Sequence, residues 1–300
     1  MTEAPTPTEL FNTLRPRLYG IAYRMLGTKA DAEDVLQDAW LRWQAQDREA
    51  LRTPEAWLVT VTSRLAIDRL RSAKAEREAY AGEWLPEPIV GWEDETPETL
   101  VERARDLSLA FMHMLERLAP EERAAFVLRQ AFDYEHGEIA QMLGKSEAAV
   151  RQIVHRARER LKLERPRFEV PQERHRELLR RFVEAAGTGQ RASLLAMLAP
   201  DLRVVGDSGG KVPEVIGGIH TGERMANLLL ANFLRWGPRL QWRIATINGE
   251  LGLLRLVDGR IDQAQTVQVE GDRIVAMYSV RNPDKLAGIT AVTDRAPRAS

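Results

Sequence analysis

The sequence predicts a multidomain protein, two all-α modules followed by an α+β cone, and three observations predict it. Apolar residues recur at helical spacing from residue 9 to about 78, and again from Leu107 to about Leu163. An acidic, proline-containing stretch separates those two blocks. Beyond Pro171 the pattern changes to two helices and then to short apolar runs separated by turn dipeptides. With 300 residues, 44% of them hydrophobic and 29% charged, the chain is long enough for two or three separate cores.

The first module, residues 1–80, reads as nearly all helix. Leu10, Leu14, Leu18, Ile21, Ala22 and Met25 follow mixed three- and four-residue steps; Gly27 ends the pattern, and Asp31 or a neighbour caps the next helix. That helix carries Val35, Leu36, Ala39, Trp40 and Trp43 on one face, and Glu33, Asp34, Gln37 and Asp38 on another. A polar loop over 44–53 follows. Thr53 and Pro54 suit an N-cap and a first helical position. The third helix places Trp57, Leu58, Val61, Leu65, Ile67 and Leu70 toward a core, with Arg64, Arg69, Arg71, Lys74 and Arg77 on its other side.

Residues 81–106 read as a linker. Pro86 and Pro88 together forbid a helix where it begins. Seven Asp or Glu and no Lys or Arg occupy 83–102.

The second module, residues 107–167, contains the most informative stretch of the chain. Ile139, Ala140, Met142 and Leu143 give one helix an apolar face. Gly144 supplies the positive φ of a helix C-cap, and Ser146 is a good N-cap for the next helix. Val150, Ile153, Val154 and Ala157 recur as a buried stripe, which turns Arg151, Gln152, His155, Arg156 and Arg158 outward. A helix, a tight turn and a basic second helix form a helix-turn-helix, whose second helix is free to enter a major groove. Seven Arg or Lys against two Glu over 151–167 fit a polyanionic partner.

Residues 168–300 form the third domain. Amphipathic helices are predicted over 174–186, 191–198 and 221–233. Strands are predicted over 202–205, 240–247, 251–257, 263–269 and 274–280, with Asp258-Gly259 and Gly271-Asp272 as hairpin turns. This order suggests a long antiparallel meander curved around helices. Trp236 and Trp242 are placed to line or fill its interior.

Composition excludes several classes. The chain has no cysteine, so disulfides and thiolate metal sites are impossible, which fits a reducing cytoplasm. The first residues carry neither a basic nor an apolar signal region. The most apolar stretch, 226–234, is too short to span a bilayer. The five histidines have no metal-ligand spacing, and no cofactor motif is present. His220 has no carboxylate beside it in a recognisable catalytic motif, so the cone is expected to perform no chemistry.

Two helical modules joined by an acidic linker resemble region 2 and region 4 of a bacterial RNA polymerase sigma factor of the extracytoplasmic-function (ECF) class. The motif Asp34-Val35-Leu36-Gln37-Asp38-Ala39-Trp40 is similar to the segment that docks on the polymerase clamp. The resemblance implies that Asp34, Gln37 and Asp38 make the polar contact with core enzyme, and these positions share one helix face. It implies that the 44–53 loop holds a flipped base of the minus-10 element. Arg64, Arg69, Arg71 and Lys74 would neutralise phosphates there, with Trp57 either stacking on a base or joining the core. It implies that Arg151, Gln152, His155, Arg156 and Arg158 face the minus-35 element, where Arg suits guanine and Gln suits adenine.

The last third resembles the SnoaL-like, NTF2-like extension of one subgroup of this class. Trp84, Leu85, Pro86, Glu87 and Pro88 match its W-L-P-E-P linker motif. Asp207, Ser208, Gly209, Gly210 and Lys211 match D-G-G-G-K with Ser208 in place of a glycine. Asn282, Pro283, Asp284, Lys285 and Leu286 match N-P-D-K-L. Asp207 and Lys211 are expected to form a charged pair across the glycine turn. The resemblance implies a regulatory extension that restrains both DNA-binding modules and takes the place of a separate anti-sigma protein. The partners expected are core polymerase and promoter DNA, with a small-molecule ligand in the cone and no membrane. The free chain is expected to be a cytoplasmic monomer. Two other readings stay open on sequence: a one-component regulator with a ligand-binding cone, and a SnoaL-type enzyme with a DNA-binding appendage.

Overall fold

In the computed structural model, residues 6–47, 51, 53–91, 107–162, 171–213, 215 and 217–289 are described. Most of the acidic run and the distal part of the basic run, including Arg165 and Arg167, fall outside them. The chain forms two compact units. One combines residues 1–79 with 111–165, and the other combines 80–110 with 166–300.

The first unit is all helix. Helix α1 (Pro7–Leu26) starts at a capping box between Thr6 and Glu9 and stops at Gly27, whose left-handed φ of 74° lets its N–H return to the Tyr23 carbonyl. Helix α2 (Lys29–Ala45) is capped by Thr28, the neighbour of the expected Asp31. Helix α3 (Pro54–Ser72) begins at Thr53 and Pro54 as the sequence predicts, and α4 (Lys74–Glu78) follows it. Leu18, Ile21, Met25, Val35, Leu36, Trp43, Leu58 and Leu70 form the core of this bundle. Val61 and Leu65 are only half-buried; the centre of α3 instead presents Val59, Thr62, Ser63 and Ala66 to the core. Small side chains there permit close approach of α1 and α2, a feature that a search for large apolar residues overlooks.

Helices α5 (Leu109–Leu115), α6 (Pro120–Ala131), α7 (His136–Leu143) and α8 (Glu147–Lys162) continue the chain, and the division between the units falls inside α5. Gly144 takes φ 65° between α7 and α8, and the Ser146 hydroxyl caps α8 by accepting from the Ala149 N–H at 3.2 Å. Val150, Ile153, Val154 and Ala157 are all buried, as their spacing predicts.

The second unit is built on a mixed seven-stranded sheet of order β1-β4-β5-β6-β7-β2-β3. Its strands are β1 (Val90–Gly91), β2 (Leu198–Asp207), β3 (Gly218–Thr221), β4 (Leu240–Ile247), β5 (Glu250–Val257), β6 (Arg260–Glu270) and β7 (Arg273–Val280). Strands β4 to β7 are the expected antiparallel meander, but β2 pairs with β7 in parallel, which corrects the purely antiparallel reading. The parallel join arises because helix α11 (Gly222–Trp236) and the meander separate β2 from β7 along the chain. Asp258 and Gly259 both take positive φ in the predicted hairpin, and Asn248-Gly249 makes another.

The sheet is covered on both faces. Leu202, Val204, Trp242, Leu253, Val267 and Met277 meet helices α9 (Gln172–Thr188), α10 (Arg191–Met197) and α11 on one face. Val205, Ala245, Leu254, Ala264, Tyr278 and Val280 form a second core with Leu85, Leu109 and Ala110 on the other. Strand alternation separates Val204 from Val205 and Met277 from Tyr278 in this way. The first described part of the linker is therefore bound in this unit: Leu85 and Pro86 are buried, and β1 adds to the edge of β4.

Candidate nucleic-acid interface

The turn and the buried stripe of α8 decide what that helix shows. Arg151, Gln152, His155, Arg156 and Arg158 are all exposed. Arg151 is ion-paired with Glu147 one turn earlier, and Arg158 Nε donates to Gln130 at 3.2 Å. Gln152, His155 and Arg156 have no partner among the described residues, so their donors and acceptors are available to base edges.

The cations predicted along α3 are engaged differently. Arg64 Nε donates to the Met142 carbonyl of α7 at 3.0 Å. Arg71 pairs with Asp68 at 3.2 Å and with Glu121 of α6 at 2.6 Å. Arg69 is held by Asp31 at 2.6 Å, a contact that raises the guanidinium pKa through its hydrogen bond and charge. Lys74, on α4, has one loose partner among the described residues, Glu78 at 3.6 Å. Trp57 is half-buried, with its ring 5.7 Å from that of Trp43.

Arg77, which falls on α4 and not on the third helix as expected, joins a cluster that holds the two helical modules together within the first unit. It is ion-paired with Glu116, and its other end donates to the Leu26 carbonyl. Arg123 donates to Glu116 at 2.7 Å and to the Met25 carbonyl at 2.8 Å. Burial raises the pKa of the Glu116 carboxyl, but the charges of Arg123 and Arg77 outweigh burial, and the net shift is downward.

On α2, Asp34, Gln37 and Asp38 are exposed on one face while Val35, Leu36 and Ala39 are buried behind them. Arg15 and Glu33 close an ion pair beside that face at 2.5 Å.

The three short motifs of the second unit meet at one buried carboxylate. Asp207 Oδ1 accepts from the Tyr80 hydroxyl at 2.5 Å. Its Oδ2 accepts from the Leu85 N–H at 2.8 Å and from Lys285 Nζ at 2.7 Å. Lys285 also donates to the Leu85 carbonyl at 2.5 Å, and its ammonium lies 3.9 Å from the Trp84 ring centroid. Asn282 donates to the Tyr80 hydroxyl at 2.7 Å and caps the short helix α12 (Pro283–Leu286) by accepting from the Asp284 N–H. Burial and the hydrogen bond to Asp207 raise the Tyr80 pKa well above the usual phenol range. The expected Asp207–Lys211 pair does not form. Asp207 pairs with Lys285, and Lys211 pairs with Asp284, because the chain turns back between Asp207 and Lys211. Pro283 and Asp284 remain exposed at the rim.

The glycines are needed for that turn. A side chain on Gly209 (φ 58°) would meet Asn282 at 2.6 Å, and one on Gly210 (φ 70°) would meet Ala81 at 2.9 Å. Ser208 fits in place of glycine because its hydroxyl accepts from the Gly210 N–H at 3.3 Å.

Comparison with known proteins places these features in a family. Residues 10–76 match the family model for sigma-70 region 2, and residues 108–161 match that for sigma-70 region 4. The ECF RNA polymerase sigma factor SigJ of Mycobacterium tuberculosis is 40% identical over 289 residues, covering 93% of this chain and 92% of SigJ. The chain belongs to the ECF RNA polymerase sigma factors. A probable ECF sigma factor of the same organism, SigI, is 28% identical and covers 92% of this chain and 93% of its own length. The crystal structure of M. tuberculosis SigJ superposes with a TM-score of 0.75, covering 95% of this chain and 99% of that one. This sigma factor thus has the two helical sigma regions and, beyond them, the C-terminal mixed-sheet domain.

Sequence reasoning missed several residues that shape the sites of this sigma factor. Tyr80 completes the Asp207 cluster but precedes the linker motif and carries no local signal. Asn248 accepts from the Ile89 N–H and donates to the Leu107 carbonyl, so it holds both described ends of the linker segment. Its Asn-Gly turn was a legible hairpin signal between apolar strands. Glu116 and Arg123 carry no local signal, and only the packing of the helices takes them out of water.

Proposed function

We propose that this sigma factor binds core polymerase through Asp34, Gln37 and Asp38, contacts the minus-10 element with Trp57, Arg64, Arg69, Arg71 and Lys74, and reads the minus-35 element with Arg151, Gln152, His155, Arg156 and Arg158. The observation that carries this reading is that both expected docking surfaces are exposed within matched sigma regions: the acidic face of α2 and the basic face of α8. The acts assigned to it are binding acts, with no chemistry of its own, and its partners are core enzyme and promoter DNA.

The compact first unit is the resting form. Met142 and Glu121 compete with phosphate for Arg64 and Arg71, so parting of the two helical modules strengthens promoter contact. The C-terminal domain regulates that step through the linker: Trp84 and Leu85, followed by buried Pro86, are gripped by Asp207 and Lys285, and Asn282 holds Tyr80, with the Gly209-Gly210 turn and the Lys211–Asp284 pair closing the rim. A one-component regulator leaves the exposed Asp34–Asp38 face without a task.

Run-off transcription with core polymerase tests the reading. Initiation from a selected promoter should require this chain. Asp34→Lys combined with Asp38→Lys should abolish its co-elution with core while leaving its helical content unchanged. Tight binding to duplex DNA without any core-dependent initiation would overturn it.

A further inference from the structure

The inner face of the sheet changes character toward one end. Along most of β5, β6 and β7 that face is apolar, with Leu251, Leu253, Val267, Val269, Ile274 and Met277 in the core under the helices. Where the strands continue, the cavity is floored instead by Arg255, Gln263, Gln265, Ser279 and Arg281. These are cross-strand neighbours: Trp242 faces Arg255, Arg255 faces Gln263, and Gln265 faces Ser279. A domain that needed only a stable sheet would fill this row with apolar side chains, because buried polar groups cost free energy unless they are paired.

The row floors a cavity of about 500 Å³, a volume suited to a small molecule. Met225, Leu228, Leu229 and Trp236 of α11 supply an apolar wall opposite it. The floor is internally braced: Arg255 makes a two-pronged pair with Asp262 at 2.8 and 2.9 Å, and the Ser279 hydroxyl donates to Gln265 Oε1 at 3.0 Å. Two buried donors are left over. Trp242 Nε1 and Gln265 Nε2 have no hydrogen-bond partner among the described residues, although both side chains are more than nine-tenths buried. A buried donor left unmet has lost its bonds to water without replacement, which disfavours the folded state until an acceptor arrives. Among the described residues the lining has four arginines (Arg224, Arg235, Arg255 and Arg281) and one aspartate, Asp262. Indole and amide nitrogens only donate, so the two unmet groups call for an acceptor from outside the floor, where Arg281, which also donates to the Pro213 carbonyl and to Asp262 at 3.5 Å, adds positive charge.

We propose that this cavity is a binding site for a small carboxylate with an apolar body. The carboxylate accepts from Trp242, Gln265 and Arg281, and the body lies against Met225, Leu228 and Trp236. No histidine lines the cavity among the described residues. The site adjoins the linker grip: Arg281 lines the cavity, Asn282 belongs to the Asp207 cluster, and the backbone N–H groups of both donate to the Asp207 carbonyl at 2.7 and 2.9 Å. An occupant held by Arg281 is thus one residue from the grip on the linker.

The test uses the full chain with nitrogen-labelled tryptophan, whose seven indole N–H resonances are observable by NMR, with the Trp242 signal assigned from Trp242→Phe. The probes are straight-chain acids from hexanoate to dodecanoate and a set of phenylalkanoates, each with its primary amide, at up to millimolar concentration. At least one acid should shift the Trp242 signal saturably, and its amide should bind about tenfold more weakly. Gln265→Leu and Arg281→Met, checked for unchanged circular dichroism, should each weaken that acid by about tenfold. The proposal is overturned if no acid moves the Trp242 signal, if acid and amide bind equally, or if folded variants bind the acid as the parent does. Binding is read without polymerase, so its failure leaves the sigma-factor reading standing.

Discussion

Asp207 shows how one side chain can hold distant parts of a chain. It has no solvent exposure, yet its carboxylate is met by a phenol, a backbone N–H and an ammonium, which satisfies it on every side. Lys285 is the cationic half of that site and also stacks against Trp84. Removing one member of a buried pair leaves an uncompensated charge, and Lys285→Met should destabilise the C-terminal domain by about 3–5 kcal/mol. The double variant Asp207→Asn, Lys285→Met should recover much of that loss, because no ion then remains buried. Urea denaturation of the three proteins checks this. A double variant no better than the single one would show that packing, and not charge, holds the linker.

Helix α8 joins a buried stripe to an exposed basic face, and its exposed side chains divide by partner. Gln152, which has no partner among the described residues, suits base readout; Lys74 on α4, with one loose ion pair, suits phosphate contact. Gln152→Ala should relax sequence preference at one minus-35 position at a cost of about 1–3 kcal/mol for the preferred base. Lys74→Ala should weaken binding equally on all promoters and reduce the salt slope by about one unit. Transcription across a promoter library at several salt concentrations separates the two effects, and identical profiles for both variants would refute the division of labour. At the same scale, strand alternation gives the sheet two buried faces, one for its own helices and one for the linker.

Across the first unit, the Arg77–Glu116–Arg123 cluster ties α4 to the segment between α5 and α6 and to the end of α1. It gives the resting form a pH signature. The Glu116 carboxyl has its pKa lowered in the folded chain, so its contribution is fully present above its unfolded value, about 4.3 for a glutamate, and is lost as pH falls through the folded value. Thermal melting should therefore show the parent losing stability below about pH 4.3 more steeply than Glu116→Gln, while the variant is the less stable at neutral pH. Parallel melting curves for the two proteins across that range would remove Glu116 as the source.

Much of this protein was legible in its sequence. Gly144, Ser146 and the Val150–Ala157 stripe determined the helix-turn-helix and which side chains it exposes, because caps and helical periodicity act over a few residues. The Asp34–Asp38 face, the Thr53-Pro54 helix start and the Asp258-Gly259 hairpin were fixed for the same local reason. Only the tertiary structure decided which charges meet. Asp207 takes Lys285 and not the nearby Lys211, the α3 arginines are held by α2, α6 and α7, and Tyr80 and Asn248 complete the linker's grip. Pairing in a folded interior depends on which groups packing brings together out of water, and residues 78 positions apart in Asp207 and Lys285 carry no local trace of it.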